Sequence, residues 1–405
     1  MSKTLLMVVF EFPPSNGASV PRIESFYRYL KIWGWNVIVL TAKPQAYVNI
    51  NKEYKDNSDD IIYRTMALDV QRQLSFKGKY LQVMATPDRW GLTWIPSAIL
   101  KGRKLIKQYQ PDVIWSSSPT PSTHCIANHL SKKFNIPWVA DYRDPFNYMN
   151  GSAGNWLDKF HKKIDQTTQK NATHLTFATA GVKDLYVDKY KTLIGQKSTV
   201  IENGFDEANF EKLKWIKDTS TPFDNNKYTL YYSGVLYPNG RDPIPVFEAM
   251  SELQKQDKIN ATNFELIFQG AGTGEEFREV LTQLKIQDLV KFIQPVSFIK
   301  ALNNMMQADT LLLIQDKRFN KQIPGKVYEY LRTNKPMLVK ADPEGETAKL
   351  ISQFENVQTT NSATEIKNSI LILLNTPKSI QRDLRRYNRE SKANTLQKIL
   401  LKQNS

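Results

Sequence analysis

Short apolar runs alternate along the chain with longer stretches in which apolar residues recur at helical spacing, so strands and helices are predicted in turn. Residues 5–10 form one run, followed by a Pro/Gly loop and a stretch from Val20 in which Ile23, Phe26, Tyr27, Leu30 and Trp33 share a helical face. Residues 35–41, with Asn36 their one strongly polar member, have the composition of a parallel strand covered on both faces. Runs at 112–116, 137–140, 174–178 and 198–201 continue this set, and a second set occupies 228–232, 264–268, 290–293, 310–314 and 336–340. Such alternation closes into doubly wound parallel sheets, so the chain is predicted to be α/β with two of them. The polar stretch 209–226 holds Pro222 and has no periodicity, which predicts a linker between a first domain over 1–208 and a second over 227–378. Residues 379–405 are charged and helical in pattern.

With 405 residues the chain is long enough for two domains. Its net charge of +15 asks for an anionic partner: nucleic acid, a membrane face, or a nucleotide-sugar or lipid diphosphate. No zinc spacing, RNP-type aromatic motif or basic helix supports nucleic acid, and none is expected to bind. Cys125, the single cysteine, excludes an internal disulfide and is expected to be buried and inert. No run reaches the ~18 apolar residues of a membrane span. The expected location is cytoplasmic, at most peripheral on the inner face of the plasma membrane.

Residues 323–331, IPGKVYEYL, hold the densest candidate chemistry. Pro324 suits the first position of a helix, Gly325 lets a ligand approach the backbone, and Lys326 adds a cation where the amides already favour an anion. Glu329, about one turn on, is placed to accept two ribose hydroxyls below a diphosphate. Two glycine-rich turns follow strands: PPSNGAS, with Asn16 and Gly17, and GAGTG, with Gly270 and Gly272. Ligands of open parallel sheets sit at such strand ends, although either turn alone is equally consistent with a simple tight turn. ADYRDPF places Asp141, Arg143 and Asp144 at a further strand end, where an internal ion pair is an equal alternative to a site. His124 opens a helix and is expected either to pack in the core or to face the site.

PxKxxEYL followed by a polar turn and a Lys-Pro-hydrophobic strand resembles the donor-binding segment of retaining GT-B glycosyltransferases, the family 4-like enzymes of bacterial surface polysaccharide assembly in particular. EFPPSNGASVPR, PDRWGLTWIP, PDVIWSSSPTPS, IPWVADYRDPF, VIENGFD, YYSGVLYPNGRDP and IFQGAGTG resemble it in the same order, so the likeness spans nearly the whole chain. It implies two Rossmann-like domains facing across a cleft, with the last helix crossing back to the first domain. It implies a nucleotide-sugar donor held by Gly234, Gly270, Gly272, Pro324, Gly325, Lys326 and Glu329. Arg241, Lys326 and Glu329 would carry catalysis, while Asn16, Gly17, Asp141, Arg143 and Asp144 lie on the acceptor side. Family members carry a second basic residue just after the glycine, where this chain has Val235, which shifts phosphate neutralisation towards Lys326. They often carry a second glutamate eight positions before Glu329; here Lys321 stands there, and the donor's sugar stays open. Arg241 is read as starting a helix.

No DxD-type motif is placed to hold a metal, and DNSDD at 56–60 reads as a solvated loop, so metal-independent transfer without any cofactor is expected. Between 68 and 107 the residues Arg72, Lys77, Lys79, Arg89, Lys101, Arg103, Lys104 and Lys107 are interleaved with Phe76, Tyr80, Trp90 and Trp94. This stripe reads as a surface for an anionic membrane carrying a lipid-linked or glycan acceptor, or as a solvated basic face. The alternatives are a GT-B sugar-nucleotide epimerase and a non-enzymatic nucleic-acid-binding protein.

Overall fold

The computed structural model describes residues 2–146, 156–194, 197–236 and 240–403. The chain divides into two compact units, Met1–Asn203 with Arg389–Ser405, and Gly204–Asn388.

The first unit is built on seven parallel strands: β1 (Thr4–Val8), β2 (Asn36–Ala42), β3 (Ile61–Thr65), β4 (Val113–Ser117), β5 (Trp138–Tyr142), β6 (His174–Phe177) and β7 (Ser198–Val200). Their order is β3-β2-β1-β4-β5-β6-β7. The burial of strand β1 on both faces explains why its sequence is apolar after Thr4. Leu6 and Val8 join a core with Leu40, Ile114, Trp94 and Trp138, while Leu5, Met7 and Val9 point the other way into a core with Phe26, Leu30 and Trp115. That second core also takes Ala393, Leu396 and Leu400 of the last helix, Arg389–Lys402.

The second unit carries β8 (Tyr228–Ser233), β9 (Phe264–Gln269), β10 (Val290–Ile293), β11 (Thr310–Ile314), β12 (Met337–Lys340) and β13 (Val357–Thr360), all parallel. Their order is β10-β9-β8-β11-β12-β13. In each sheet the winding reverses once, between β1 and β4 and between β8 and β11, the position beyond whose carboxyl ends ligands of such sheets sit.

Two expected boundaries are corrected. The stretch 209–226 is no linker: the second unit begins at Gly204, and a helix Glu207–Leu213, capped by the Asp206 carboxylate, buries Phe210 in the core of that unit. Phe223 packs edge-on against Tyr231 with ring centroids 5.3 Å apart. Too few apolar residues lie in this stretch to show a period, yet Phe210, Leu213 and Phe223 pack into the core while Trp215 stays exposed. The second unit also runs to Asn388 instead of 378, because Leu384 and Tyr387 belong to its core; the last helix starts at Arg389, not near 379. Strands β3 and β13 lie at sheet edges, and their half-exposed, partly polar sequences give no apolar run.

Candidate functional site

At the reversal point of the second unit, the turn after β8 meets the helix Lys326–Arg332 that leads from β11 to β12. Gly234 has φ +113°, and a Cβ there would lie 3.0 Å from the Lys326 Nζ, so glycine serves both the turn and the approach of the ammonium. That Nζ donates to the Ser233 carbonyl at 2.6 Å and stands 4.4 Å from the centre of the Tyr232 ring. Burial, then the like charge of Arg241, push the Lys326 ammonium down to about 7, with Glu329 opposing the shift. Arg241 Nη1 donates to the Val235 carbonyl at 2.6 Å and approaches the Tyr232 hydroxyl at 3.3 Å. Val235 thus contributes a backbone acceptor where a second basic side chain was absent. The Tyr330 hydroxyl accepts the Ser233 N–H at 3.1 Å and ties the helix to the strand end.

The helix start differs in detail from expectation. Gly325 is the cap and Lys326 the first helical residue, with Pro324 just outside. Val327 and Tyr328 donate to the Pro324 and Gly325 carbonyls. Glu329 lies half-buried on this helix between buried Tyr328 and Tyr330. Arg241 does not start a helix: the helix begins at Ile244, whose N–H is accepted by Asp242 at 2.9 Å, and Arg241 sits in the preceding turn. Residues 237–239 of that turn, within the YYSGVLYPNGRDP motif, lie outside the described residues. Gly270 and Gly272 follow β9, next to β8, and the Gly270 N–H donates to Ile293 O at 3.0 Å. The structure therefore brings Gly234, Arg241, Pro324, Gly325, Lys326 and Glu329 into one corner of the second unit, with the Gly270 loop beyond the adjacent strand. Sequence reasoning missed Tyr232, Ser233, Tyr330 and Gln269. Gln269 accepts from Asn304 at 2.8 Å and from the Tyr231 hydroxyl, bracing the ends of β8 and β9. All four lie within the quoted motifs YYSGVLYPNGRDP, IFQGAGTG and IPGKVYEYL, but their roles were not legible because their contacts come from distant segments.

In the first unit Asp141 is fully buried at the end of β5. Burial alone would raise its carboxyl, but the Arg22 charge and hydrogen bonds from Arg22, Thr176 and Ser117 hold it below its usual value. Arg22 Nη2 lies 2.9 Å from Oδ1, Thr176 2.7 Å and Ser117 2.8 Å from the two oxygens. Within the motif Arg143 pairs with Asp144 at 2.8 Å, while Asp141 takes its cation from Arg22, outside the motif. Asn16 is exposed after β1, and Gly17 leaves room for Glu11, whose carboxylate would stand 2.1 Å from a Cβ at that position. His124 is buried and pushed down to about 3 by burial; its Nδ1 pairs with the Ser116 hydroxyl at 2.9 Å, so it belongs to the core. Cys125 is half-buried, less than expected, and desolvation pushes its thiol up to about 12.

Among the described residues, no group of three His, Cys, Asp or Glu side chains is placed to hold a metal ion. The 56–60 loop is less free than expected, with Asp56 on Arg64 at 2.6 Å and Asp60 on Lys31 at 2.7 Å. The basic stripe narrows as well. Trp94 is core, while Arg72, Arg89 and Arg103 are engaged with Tyr47 O, Asp69 and His129. Phe76, Leu81 and Val83 stand 77, 70 and 62% exposed beside Lys77 and Lys79. Among the described residues no helix is long and apolar enough to cross a membrane.

Residues 22–209 match the family model Glycosyltransferase Family 4. No curated protein matches the chain in sequence. Among solved structures it is similar to sucrose-phosphate synthase from Thermosynechococcus elongatus, at 12% identity and TM-score 0.60 over 99% of this chain and 97% of that one. It is also similar to Anabaena HepE in complex with UDP, at 13% identity and TM-score 0.60 over 99% of this chain and 100% of that one. UDP-GlcNAc 2-epimerase from Methanocaldococcus jannaschii gives 12% identity and TM-score 0.60 over 98% and 99% of the two chains. At these identities the likeness carries the fold. The chain therefore has a GT-B fold, and within it residues 22–209 are similar to Glycosyltransferase Family 4.

Proposed function

We propose that the protein moves a sugar from a nucleotide-sugar donor to a glycan or lipid-linked acceptor, with retention and without a metal, in bacterial surface polysaccharide assembly. The observation that carries the donor assignment is the corner in which Lys326 Nζ, 2.6 Å from Ser233 O, stands with Arg241 and the Gly325 helix start at the sheet's reversal point. The HepE neighbour, solved with UDP, supports a diphosphate donor there. In the reaction the bond from the anomeric carbon to the leaving phosphate oxygen breaks as the acceptor oxygen bonds to the same face. The acceptor's proton passes to the departing phosphate. Arg241 and Lys326 would stabilise the charge growing on that phosphate, and Glu329 would hold the ribose.

Lys326 gives this reading a pH signature. Its ammonium is charged below about 7 and loses its proton above that value, so UDP should bind more weakly as pH rises from 6 to 9. The unliganded fold shows the opposite slope, since the unfolded chain binds more protons than the folded one between the two lysine values, and stability rises with pH there. Calorimetric titration with UDP should show the slope in the wild type and lose it in Lys326→Met. Transfer should survive EDTA; an absolute need for Mg²⁺ or Mn²⁺ would overturn the metal-free assignment. Conversion of a UDP-sugar to its epimer with no acceptor present would replace transferase by epimerase.

For the acceptor side we further propose peripheral attachment to anionic membrane through Phe76, Lys77, Lys79, Leu81 and Val83, with Lys101 and Lys104 adding charge. At about 1 kcal/mol per basic residue near such a surface, attachment would be real but reversible. Changing Lys77, Lys79, Lys101 and Lys104 to glutamine should lower co-sedimentation with vesicles containing anionic lipid and leave UDP binding intact. Equal binding to neutral and anionic vesicles would return the stripe to a solvated face.

A further inference from the structure

We propose that the first unit carries a binding site for a compact, neutral, largely apolar molecule with one hydrogen-bond acceptor, in the cavity between the helices Pro121–Phe134 and Trp156–Asn171. The cavity has a volume of about 280 Å³, and its lining includes His124 and Cys125 from the first helix and Phe160, Lys163, Ile164 and Thr168 from the second. None of these residues belongs to the donor corner, so the site stands or falls without the transferase reading.

The hydrogen bonds around His124 fix which ring nitrogen carries the proton. The Ser116 hydroxyl oxygen accepts from the Trp138 indole N–H at 2.8 Å and lies 2.9 Å from His124 Nδ1. The Ser116 side chain has no third partner among the described residues, so its one proton goes to Nδ1, and the neutral imidazole keeps its own proton on Nε2. Burial pushes the imidazole down to about 3, which keeps it neutral at physiological pH. The result is an N–H donor, on a side chain with no exposed surface, that has no partner among the described residues. Leaving such a donor unpaired is costly, and an acceptor atom entering the cavity removes that cost.

The rest of the lining sets what carries that acceptor. Phe160 and Ile164 give apolar walls. Thr167 and Thr168 donate their hydroxyl protons to the Lys163 and Ile164 carbonyls at 2.7 and 2.9 Å, so neither has a proton left for a ligand. Lys163 is exposed, and its ammonium stays in water. A charged ligand would lose its hydration against Phe160 and Ile164 while the neutral imidazole gives it no counter-charge. A saccharide has far more hydroxyls than this lining has partners for, and a plain hydrocarbon chain would leave the Nε2 proton without an acceptor. An engineered apolar cavity of about 150 Å³ holds one benzene, so this one holds roughly ten to twelve non-hydrogen atoms. A bicyclic ketone or lactone has that size and one strong acceptor.

The test uses the full chain with 1-indanone, its hydrocarbon counterpart indane, and benzoate. Cys125 lines the cavity and is the chain's single cysteine, so its alkylation by N-ethylmaleimide, followed by mass spectrometry, reports on occupancy. 1-Indanone should slow that alkylation and receive saturation in saturation-transfer NMR. Indane should bind about tenfold more weakly, because it leaves the His124 donor unpaired. Phe160→Ala, which removes a wall at an exposed position, should weaken the ketone about tenfold and leave the thermal melt unchanged. In His124→Phe, which keeps a ring and drops the donor, ketone and hydrocarbon should bind alike; if that variant does not fold, the two probes on the wild type and on Phe160→Ala decide. Equal binding of ketone and hydrocarbon to the wild type, or binding of neither, overturns the site. Tighter binding of benzoate that weakens with salt would assign the affinity to Lys163 at the rim and also overturn it. UDP should neither displace 1-indanone nor change its protection of Cys125, and competition between the two would move the ketone to the donor corner and sink this inference alone.

Discussion

Glu329→Ala is expected to abolish measurable transfer while leaving the thermal melt of the protein unchanged. Glu329 is half-buried on the helix Lys326–Arg332, one turn beyond the capping Gly325, and its backbone carbonyl, which accepts from Thr333 at 3.2 Å, is untouched by the substitution. Removing a charged partner of the ribose hydroxyls should cost about 1.5–3 kcal/mol in donor binding, more if those hydroxyls are stranded on a dry surface. That weakens UDP about 10- to 150-fold. The loss in turnover exceeds the loss in affinity because a ribose that is no longer fixed leaves the diphosphate out of line with Arg241 and Lys326 as the glycosidic bond breaks. Glu329→Gln, which keeps one acceptor oxygen, should fall between the two. Wild-type turnover in the alanine variant would remove Glu329 from the site.

The distribution of what could be read in advance follows from range along the chain. Interior strands such as β1 and β11 are apolar after an opening threonine because both faces are covered, and their sequences declare it. The edge strands β3 and β13 carry polar, half-exposed residues and were not visible. At the proposed donor corner the residues that form a contiguous motif, Pro324, Gly325, Lys326 and Glu329, were legible as a unit. Their partners were not: Ser233 O lies 93 positions from the lysine it accepts from, and no local pattern records that pairing. The same holds for Trp94, which sits among basic residues in sequence but folds into the core because its helix turns that face towards Phe10, with ring centroids 5.1 Å apart. Asp141 was found as a charged strand end, and its neighbour Arg143 was the obvious mate. The true mate, Arg22, comes from 119 positions away.

That long-range pair carries the second large expectation, for stability. Arg22 is 5% exposed and Asp141 not at all, so Arg22→Ala leaves a buried carboxylate without its cation and should destabilise the first unit by about 3–5 kcal/mol. Arg22 also donates to the Glu202 carbonyl at 2.9 Å, so its loss frees that acceptor as well. The pH dependence separates this cause from simple loss of packing. In the wild type the Asp141 carboxyl is held below its usual value, so its contribution is present above the unfolded carboxyl value and is lost as pH falls through the folded one. In the variant, burial acts unopposed by the arginine and the carboxyl rises above its unfolded value. Stability is then greatest where the group is protonated and falls as pH rises. Acidification from about pH 7 to about pH 5 should therefore narrow the gap between variant and wild type. Denaturant unfolding followed by tryptophan fluorescence reports on the right part of the molecule, since of the eight tryptophans only Trp215 lies in the second unit. UDP affinity should be unaltered under conditions where both proteins are folded. A loss below about 1 kcal/mol at neutral pH, or a gap that widens on acidification, would mean that Asp141 is stabilised by Thr176 and Ser117 alone and that the arginine is dispensable.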